Sequence, residues 1–84
     1  MRVDASLPLT DYDETFLGRI VALDEYVLPA DAPDRRRRSL DKLCLLRFVE
    51  RHRTIPFVYH PTWTGRGYVS LARKRYGHLG THAA

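Results

Sequence analysis

Four consecutive arginines, Arg35 to Arg38, open the part of the sequence best suited to binding chemistry. More basic and aromatic residues follow them toward the C-terminus. Lys and Arg neutralise phosphates, and aromatic rings or guanidinium planes stack on nucleobases, so this combination favours a nucleic-acid surface. The candidate binding residues are Arg35, Arg36, Arg37, Arg38, Trp63, Arg66, Arg73, Lys74 and Arg75, with Tyr68 and Tyr76 interleaved.

The segment from Thr62 to Gly67 is predicted to be a loop, because it holds two glycines and two threonines ahead of a helical pattern. Backbone N–H groups of such a loop are able to face a phosphate. A second interpretation is structural. In it the arginine run is a solvated face or contacts the acidic half of the protein itself, and Trp63 belongs to the core or anchors the loop.

Charge is divided sharply along the chain. Residues 1–34 carry eight of the ten acidic side chains and two arginines, whereas residues 35–84 carry twelve of the fourteen Lys and Arg against Asp41 and Glu50. Such asymmetry indicates an anionic partner for the basic half or a charge-matched protein partner. The leading hypothesis is nucleic-acid binding. The alternative is a protein-interaction module with an acidic partner surface, such as a phage- or plasmid-encoded inhibitor of a host protein complex, and association between copies is also open.

Catalytic and metal-binding patterns are weak. Cys44, His52 and His60 are spaced by eight residues each, and His78 and His82 by four, but neither spacing matches a ligand motif. Cys44 lies in an apolar stretch and is interpreted as a small core residue. The sequence therefore predicts no enzyme activity, no metal and no cofactor.

Length and composition predict one small domain. Eighty-four residues with 44% hydrophobic and 29% charged side chains suit a globular chain with one modest core. One cysteine allows no internal disulfide, and no apolar run approaches the about 20 residues of a membrane span. We therefore expect a cytoplasmic protein with no membrane contact, an N-terminal arm at residues 1–10 and a C-terminal tail at residues 77–84.

The predicted fold is mainly α, a three-helix domain with a short extended segment. Apolar residues at spacings of three and four predict a first helix over Asp11–Leu28, with Asp11 as its N-cap. An alternative α+β fold has a β-hairpin packed on a central helix. In that alternative, Phe16–Leu23, which is rich in β-formers, is the first strand, and Asp24 and Glu25 turn the chain back through an extended Tyr26–Leu28.

The remaining predicted elements lie in the basic half. A central helix is predicted over Pro33–Arg53, because its apolar residues spread nearly around the helix. Ile55–Tyr59 is predicted to be extended, at most an edge strand because of Pro56, and Tyr68–Tyr76 is predicted to be helical. The expected core residues of the central helix are Leu43, Leu46, Phe48 and Val49.

Overall fold

The computed structural model describes residues 9–83, with side chains described as far as residue 73. Most of the predicted N-terminal arm and the side chains of the predicted tail therefore lie outside the described residues. Within that range the chain forms three helices and a small antiparallel sheet with strand order β1-β3-β2. This architecture fits the mainly α and the α+β descriptions equally well. The elements are α1 (Asp11–Leu23), β1 (Tyr26–Val27), α2 (Asp34–Leu45), β2 (Val49–Arg51), β3 (Val58–Pro61) and α3 (Trp63–Ala83).

Helix α1 begins with a capping box one residue earlier than the sequence predicts. The hydroxyl of Thr10 accepts the backbone N–H of Asp13 at 3.2 Å, and the Asp13 carboxylate accepts the backbone N–H of Thr10 at 3.0 Å. The N-cap is therefore Thr10 and not Asp11. The predicted apolar face is confirmed, since Phe16, Leu17 and Ile20 are buried.

The prediction that α1 continues to Leu28 is wrong. Asp24 adopts a left-handed conformation with φ 66° and donates its backbone N–H to the carbonyl of Ile20, which ends the helix. Tyr26 and Val27 then pair with β3. The alternative was right about the turn at Asp24 and the extended segment after it, but wrong about a strand at Phe16–Leu23, which is part of α1. The extended segment pairs with β3 instead.

Helix α2 ends at Leu45, eight residues before the predicted end at Arg53. Arg47 takes a left-handed φ of 66°, and Val49–Arg51 leaves the helix to pair with β3. Helix α1, which contacts α2, α3 and β3, is the central helix instead of α2. Leu43 and Val49 are buried as predicted, but Leu46 and Phe48 are only half-buried.

The central strand β3 corrects the prediction of an extended Ile55–Tyr59 at a sheet edge. The strand begins at Val58 and pairs with β1 on one side and β2 on the other. Pro56 lies in the turn before the strand, so its missing N–H removes no hydrogen bond from the sheet. Tyr59 is buried in the core together with residues of α1.

Helix α3 begins at Trp63, inside the predicted loop and five residues before the predicted start at Tyr68. Thr62 caps it, because its hydroxyl accepts the backbone N–H of Gly65 at 3.0 Å and donates to the Arg47 carbonyl at 2.6 Å. A Cβ at Gly65 would overlap the backbone carbonyl of Phe48. The first turn of α3 therefore lies directly on the backbone between α2 and β2.

A buried carboxylate joins α1 to α2. Asp13 accepts the Ser39 hydroxyl at 2.6 Å and the Lys42 ammonium at 2.7 Å, in addition to its bond to Thr10. Burial acts to raise the pKa of Asp13, but the hydrogen bonds from Lys42, Ser39 and Thr10 outweigh it and lower the pKa to about 2. The folded state therefore favours the charged form of this side chain.

Gly65→Ala is expected to destabilise the protein by about 1–3 kcal/mol, because the added methyl group meets the backbone of Phe48. Gly67→Ala is the matched control in the same helix, since nothing lies within 4 Å of the point where its added methyl group would sit. The control is expected to stabilise the protein by up to about 1 kcal/mol through helix propensity. Urea denaturation measures both changes, and equal effects of the two substitutions would contradict the close approach at Gly65.

Acid is expected to remove the contribution of Asp13 to stability. Because its folded pKa of about 2 lies below its ordinary value of 3.8, the contribution is complete above about pH 4 and is lost as the pH falls toward 2. This contribution of Asp13 to the free energy of unfolding is about 2 kcal/mol. The free energy of unfolding of the wild-type and of Asp13→Asn should therefore converge between pH 4 and 2. A constant difference over that interval would show that the charge of Asp13 has no such effect.

Candidate functional site

Three of the four consecutive arginines contact other parts of the same chain. The Arg35 guanidinium lies 4.1 Å from the centre of the Tyr12 ring, and Arg36 donates to the Tyr26 hydroxyl at 3.3 Å. Arg37 donates to the carbonyls of Ala32 at 3.1 Å and Ala30 at 2.6 Å in the connection before α2. These contacts give a structural reason for cationic residues at the end of a helix where the dipole disfavours them.

The fourth arginine, Arg38, is exposed and borders an open groove between the first turns of α1 and α2. Arg35 and Lys42 border the same groove, but so do carboxylates from both helices. The surface around the arginine run is therefore of mixed sign. This arrangement supports the interpretation that the run contacts the protein's own acidic half. The carboxylates are those of Asp11, Asp13 and Asp34.

The other predicted site residues lie on α3. Trp63 is 88% exposed in the first turn of the helix, so the expectation that it packs in the core is wrong. Arg66 forms an ion pair with Asp24 at the end of α1, and its side chain is 40% exposed. Arg73 is exposed two turns further along the same side of α3. The side chains of Lys74 and Arg75 lie outside the described residues.

The structure separates the two groups of arginines. Arg35 contacts Tyr12 in the first turn of α1, whereas Arg66 pairs with Asp24 at its end. Twelve residues at about 1.5 Å each place these two points about 18 Å apart along the helix. The single basic surface that the sequence predicts is therefore divided between the two ends of α1.

A second set of residues surrounds Trp63. The hairpin of β2 and β3 and the start of α3 enclose two adjoining depressions that share Glu50 and His60. We call the combined surface the hairpin groove. It contains three arginines, two histidines, one carboxylate and the exposed tryptophan. Its residues are Glu50, Arg51, His52, Arg53, His60, Pro61, Thr62, Trp63 and Arg66.

Strand pairing assembles the hairpin groove. Glu50 lies opposite His60 in the antiparallel register, and the rings of His52 and His60 lie 6.2 Å apart and nearly perpendicular. Nδ1 of His52 accepts the backbone N–H groups of Thr54 and Ile55, each at 3.1 Å. The turn after β2 therefore folds around the His52 ring. These hydrogen bonds hold the His52 side chain at one end of the groove.

Only Trp63 and Arg66 of the groove were predicted as site residues from the sequence. The two other arginines and the two histidines, Arg51, Arg53, His52 and His60, were not. Arg51 ends β2, and Arg53 lies in the turn after it. The prediction of one helix over Pro33–Arg53 placed both residues in a helix, so it missed the hairpin. His52 and His60 were considered only as metal ligands, and no group of three or more His, Cys, Asp or Glu able to hold a metal occurs among the described residues.

Cys44 does not belong to the groove. It is half-buried and packs against the core, as the sequence predicts. Burial raises the pKa of the Cys44 thiol, although the charge of Arg51 partly opposes this effect. The thiol is therefore protonated at neutral pH and is a poor nucleophile.

Comparison with protein-family models, with curated proteins and with solved structures finds no match to this chain. The part of the chain that the structure describes contains no helix long and apolar enough to cross a membrane. Residues 9–83 thus form three helices and three strands, with an exposed tryptophan in a groove lined by three arginines.

Trp63→Ala is expected to leave the melting temperature nearly unchanged, because the side chain is 88% exposed. Leu43→Ala is the comparison, since Leu43 is fully buried and its truncation is expected to cost about 2–5 kcal/mol. At about 4–8 °C per kcal/mol for a domain of this size, that cost lowers the melting temperature by at least about 8 °C. A similar decrease for Trp63→Ala would contradict the exposed position of Trp63.

Proposed function

We propose that the protein is a non-enzymatic binder of single-stranded nucleic acid and that the hairpin groove is its binding surface. The observation that carries the proposal is the exposure of Trp63 within a groove that also holds Arg51, Arg53 and Arg66. The function is the one expected from the basic half of the sequence. The proposed binding residues, however, lie in the hairpin and at the start of α3, whereas the sequence pointed mainly to the arginine run of α2.

The exposed tryptophan supports contact with bases. Tryptophan is usually buried to a large extent in a folded domain, so a nearly complete exposure is informative. The capped first turn of α3 fixes the backbone of Trp63, and His60 and Arg66 line the same depression. A base stacked on an aromatic side chain contributes about 1–3 kcal/mol. Trp63 is therefore assigned the role of a stacking platform.

The arginines of the groove support contact with phosphates. Arg53 is exposed and has no partner among the described residues. Arg51 is also exposed, and its guanidinium lies over the Tyr59 ring, 5.9 Å from the ring centre. Arg66 keeps donors beyond its bond to Asp24, because a guanidinium has five N–H groups. The three arginines and one glutamate of the lining sum to +2 with neutral histidines, and the Asp24 carboxylate paired with Arg66 reduces this to +1. This charge favours a polyanion.

Stacking on Trp63 favours single strands over duplexes. Bases in a duplex are stacked on each other, whereas those of single strands and loops are free to lie on an aromatic ring. The groove combines such a ring with Arg66 on one side of Glu50 and His60 and with Arg51 and Arg53 on the other. This arrangement suits a single strand of nucleic acid that runs along the groove. We therefore expect weaker binding to duplex DNA of the same sequence.

A protein partner is the second candidate, because a different surface presents apolar side chains. Val27 and Phe57 are both more than half exposed, and the backbone N–H of Leu28 bonds to the carbonyl of Phe57, which brings the two segments together. Such exposed apolar side chains are typical anchors in protein interfaces. An acidic protein surface, a host protein complex or another copy of this chain would use this surface together with the basic groove.

Binding to single-stranded oligonucleotides is expected to weaken with salt. With three to four phosphates contacted by the groove arginines, the slope of log affinity against log salt is about −2 to −3. Trp63→Ala should weaken binding by about tenfold or more with the slope unchanged, since it removes stacking worth about 1–3 kcal/mol. Arg53→Gln should instead flatten the slope by about 0.7. Fluorescence anisotropy of a labelled oligonucleotide measures both.

Arg38→Gln is the matched control, because Arg38, like Arg53, is exposed and unpaired among the described residues but lies outside the groove. It should leave affinity and slope nearly unchanged. An equal loss from Arg38→Gln and Arg53→Gln would locate binding elsewhere on the basic half. No binding at about 50 mM salt would contradict nucleic-acid binding and favour the protein partner.

A further inference from the structure

A second concave site lies between α1, β1 and the first turn of α2. It has a volume of about 210 Å³ and shares no residue with the hairpin groove. Aromatic rings and guanidinium groups supply most of its lining. We call it the ring pocket. Its residues are Tyr12, Thr15, Phe16, Arg19, Tyr26 and Arg36.

Three aromatic rings wall the ring pocket. The Phe16 ring meets the Tyr26 ring edge to face, with centres 5.1 Å apart, and lies 6.2 Å from the Tyr12 ring. Phe16 is buried in the core, and the Arg35 guanidinium lies against Tyr12. Because these contacts hold the rings, the pocket is preformed and presents edges and faces suited to another ring.

Two guanidinium groups border the same cavity. Arg36 donates to the Tyr26 hydroxyl at 3.3 Å and also hydrogen-bonds the Tyr12 side chain, so at most three of its five N–H donors remain for a ligand. Arg19 is exposed and has no partner within the described part of the chain. No described carboxylate lines the pocket. The cavity therefore carries two positive charges without a compensating negative one, which favours an anion.

The size of the ring pocket suits a small ligand. Its volume is about 210 Å³, and it is partly open to solvent. It is smaller than the roughly 300–1,000 Å³ of pockets for drug-sized ligands. A single six-membered ring with one anionic substituent is small enough for this space.

We propose that the ring pocket binds a small anion that carries one aromatic ring, such as an aryl phosphate or an aryl carboxylate. The ring lies among Tyr12, Phe16 and Tyr26, and the anionic group is held between Arg19 and Arg36. This site is independent of the proposed nucleic-acid surface. It would remain if the hairpin groove bound a protein instead.

Calorimetric titration of the full chain with phenyl phosphate tests the proposal. Cyclohexyl phosphate, which has a similar shape without an aromatic ring, is expected to bind at least tenfold more weakly, and inorganic phosphate more weakly still. Arg19→Gln and Arg36→Gln should each reduce the affinity for phenyl phosphate at least tenfold. Arg73→Gln, an exposed arginine on α3 outside the pocket, is the control and should leave the affinity unchanged.

Three results would overturn the proposal. One is the absence of phenyl phosphate binding at millimolar concentration. Another is equal binding of phenyl phosphate and inorganic phosphate, which would show an anion site without ring recognition. The third is an unchanged affinity in Arg19→Gln, an exposed position where the substitution leaves the fold intact. Oligonucleotide binding by the same Arg19→Gln protein should equal that of the wild-type, which separates this site from the hairpin groove.

Discussion

The buried carboxylate of Asp13 is the interaction on which the arrangement of the helices depends. A buried charge is tolerated only when it is fully hydrogen-bonded, and Asp13 meets this requirement with groups from the cap of α1 and from α2. Its bonds to Ser39 and Lys42 fix α2 against the start of α1. The neighbouring Tyr12 thereby meets Arg35, and the ring pocket forms beside this junction.

Some of the acidic residues in the first half of the chain form ion pairs with basic residues of the second half within the fold. Asp13 pairs with Lys42 and Asp24 with Arg66, so both ends of α1 are tied to the basic half of the chain. Glu14 also accepts a hydrogen bond from the Tyr68 hydroxyl. Other cations stay exposed and unpaired among the described residues, including Arg19, Arg38, Arg53 and Arg73. In the hairpin groove, Glu50 is the one acidic residue of the lining. Part of the charge asymmetry is therefore used within the fold itself.

Local signals predicted part of this structure. The face of α1 at Phe16, Leu17 and Ile20 follows from helical periodicity, and its burial is confirmed. The ends of the helices did not follow from such signals, because the segments after Asp24 and Arg47 became strands through pairing with β3. The glycines at 65 and 67 suggested a loop, whereas Gly65 is required in a helix that lies on Phe48. Contacts distant in sequence decided each of these cases, and the hairpin groove depends on them as well.

The central claim is that the hairpin groove, and not the arginine run of α2, contacts nucleic acid. Titration of the ¹⁵N-labelled protein with a short single-stranded oligonucleotide tests it residue by residue through backbone and indole chemical shifts. We expect progressive shifts for Glu50, Arg53, His60 and the indole N–H of Trp63, with Arg38 and its neighbours in α2 unaffected. Shifts confined to the first turns of α2, with the Trp63 indole unchanged, would contradict the claim.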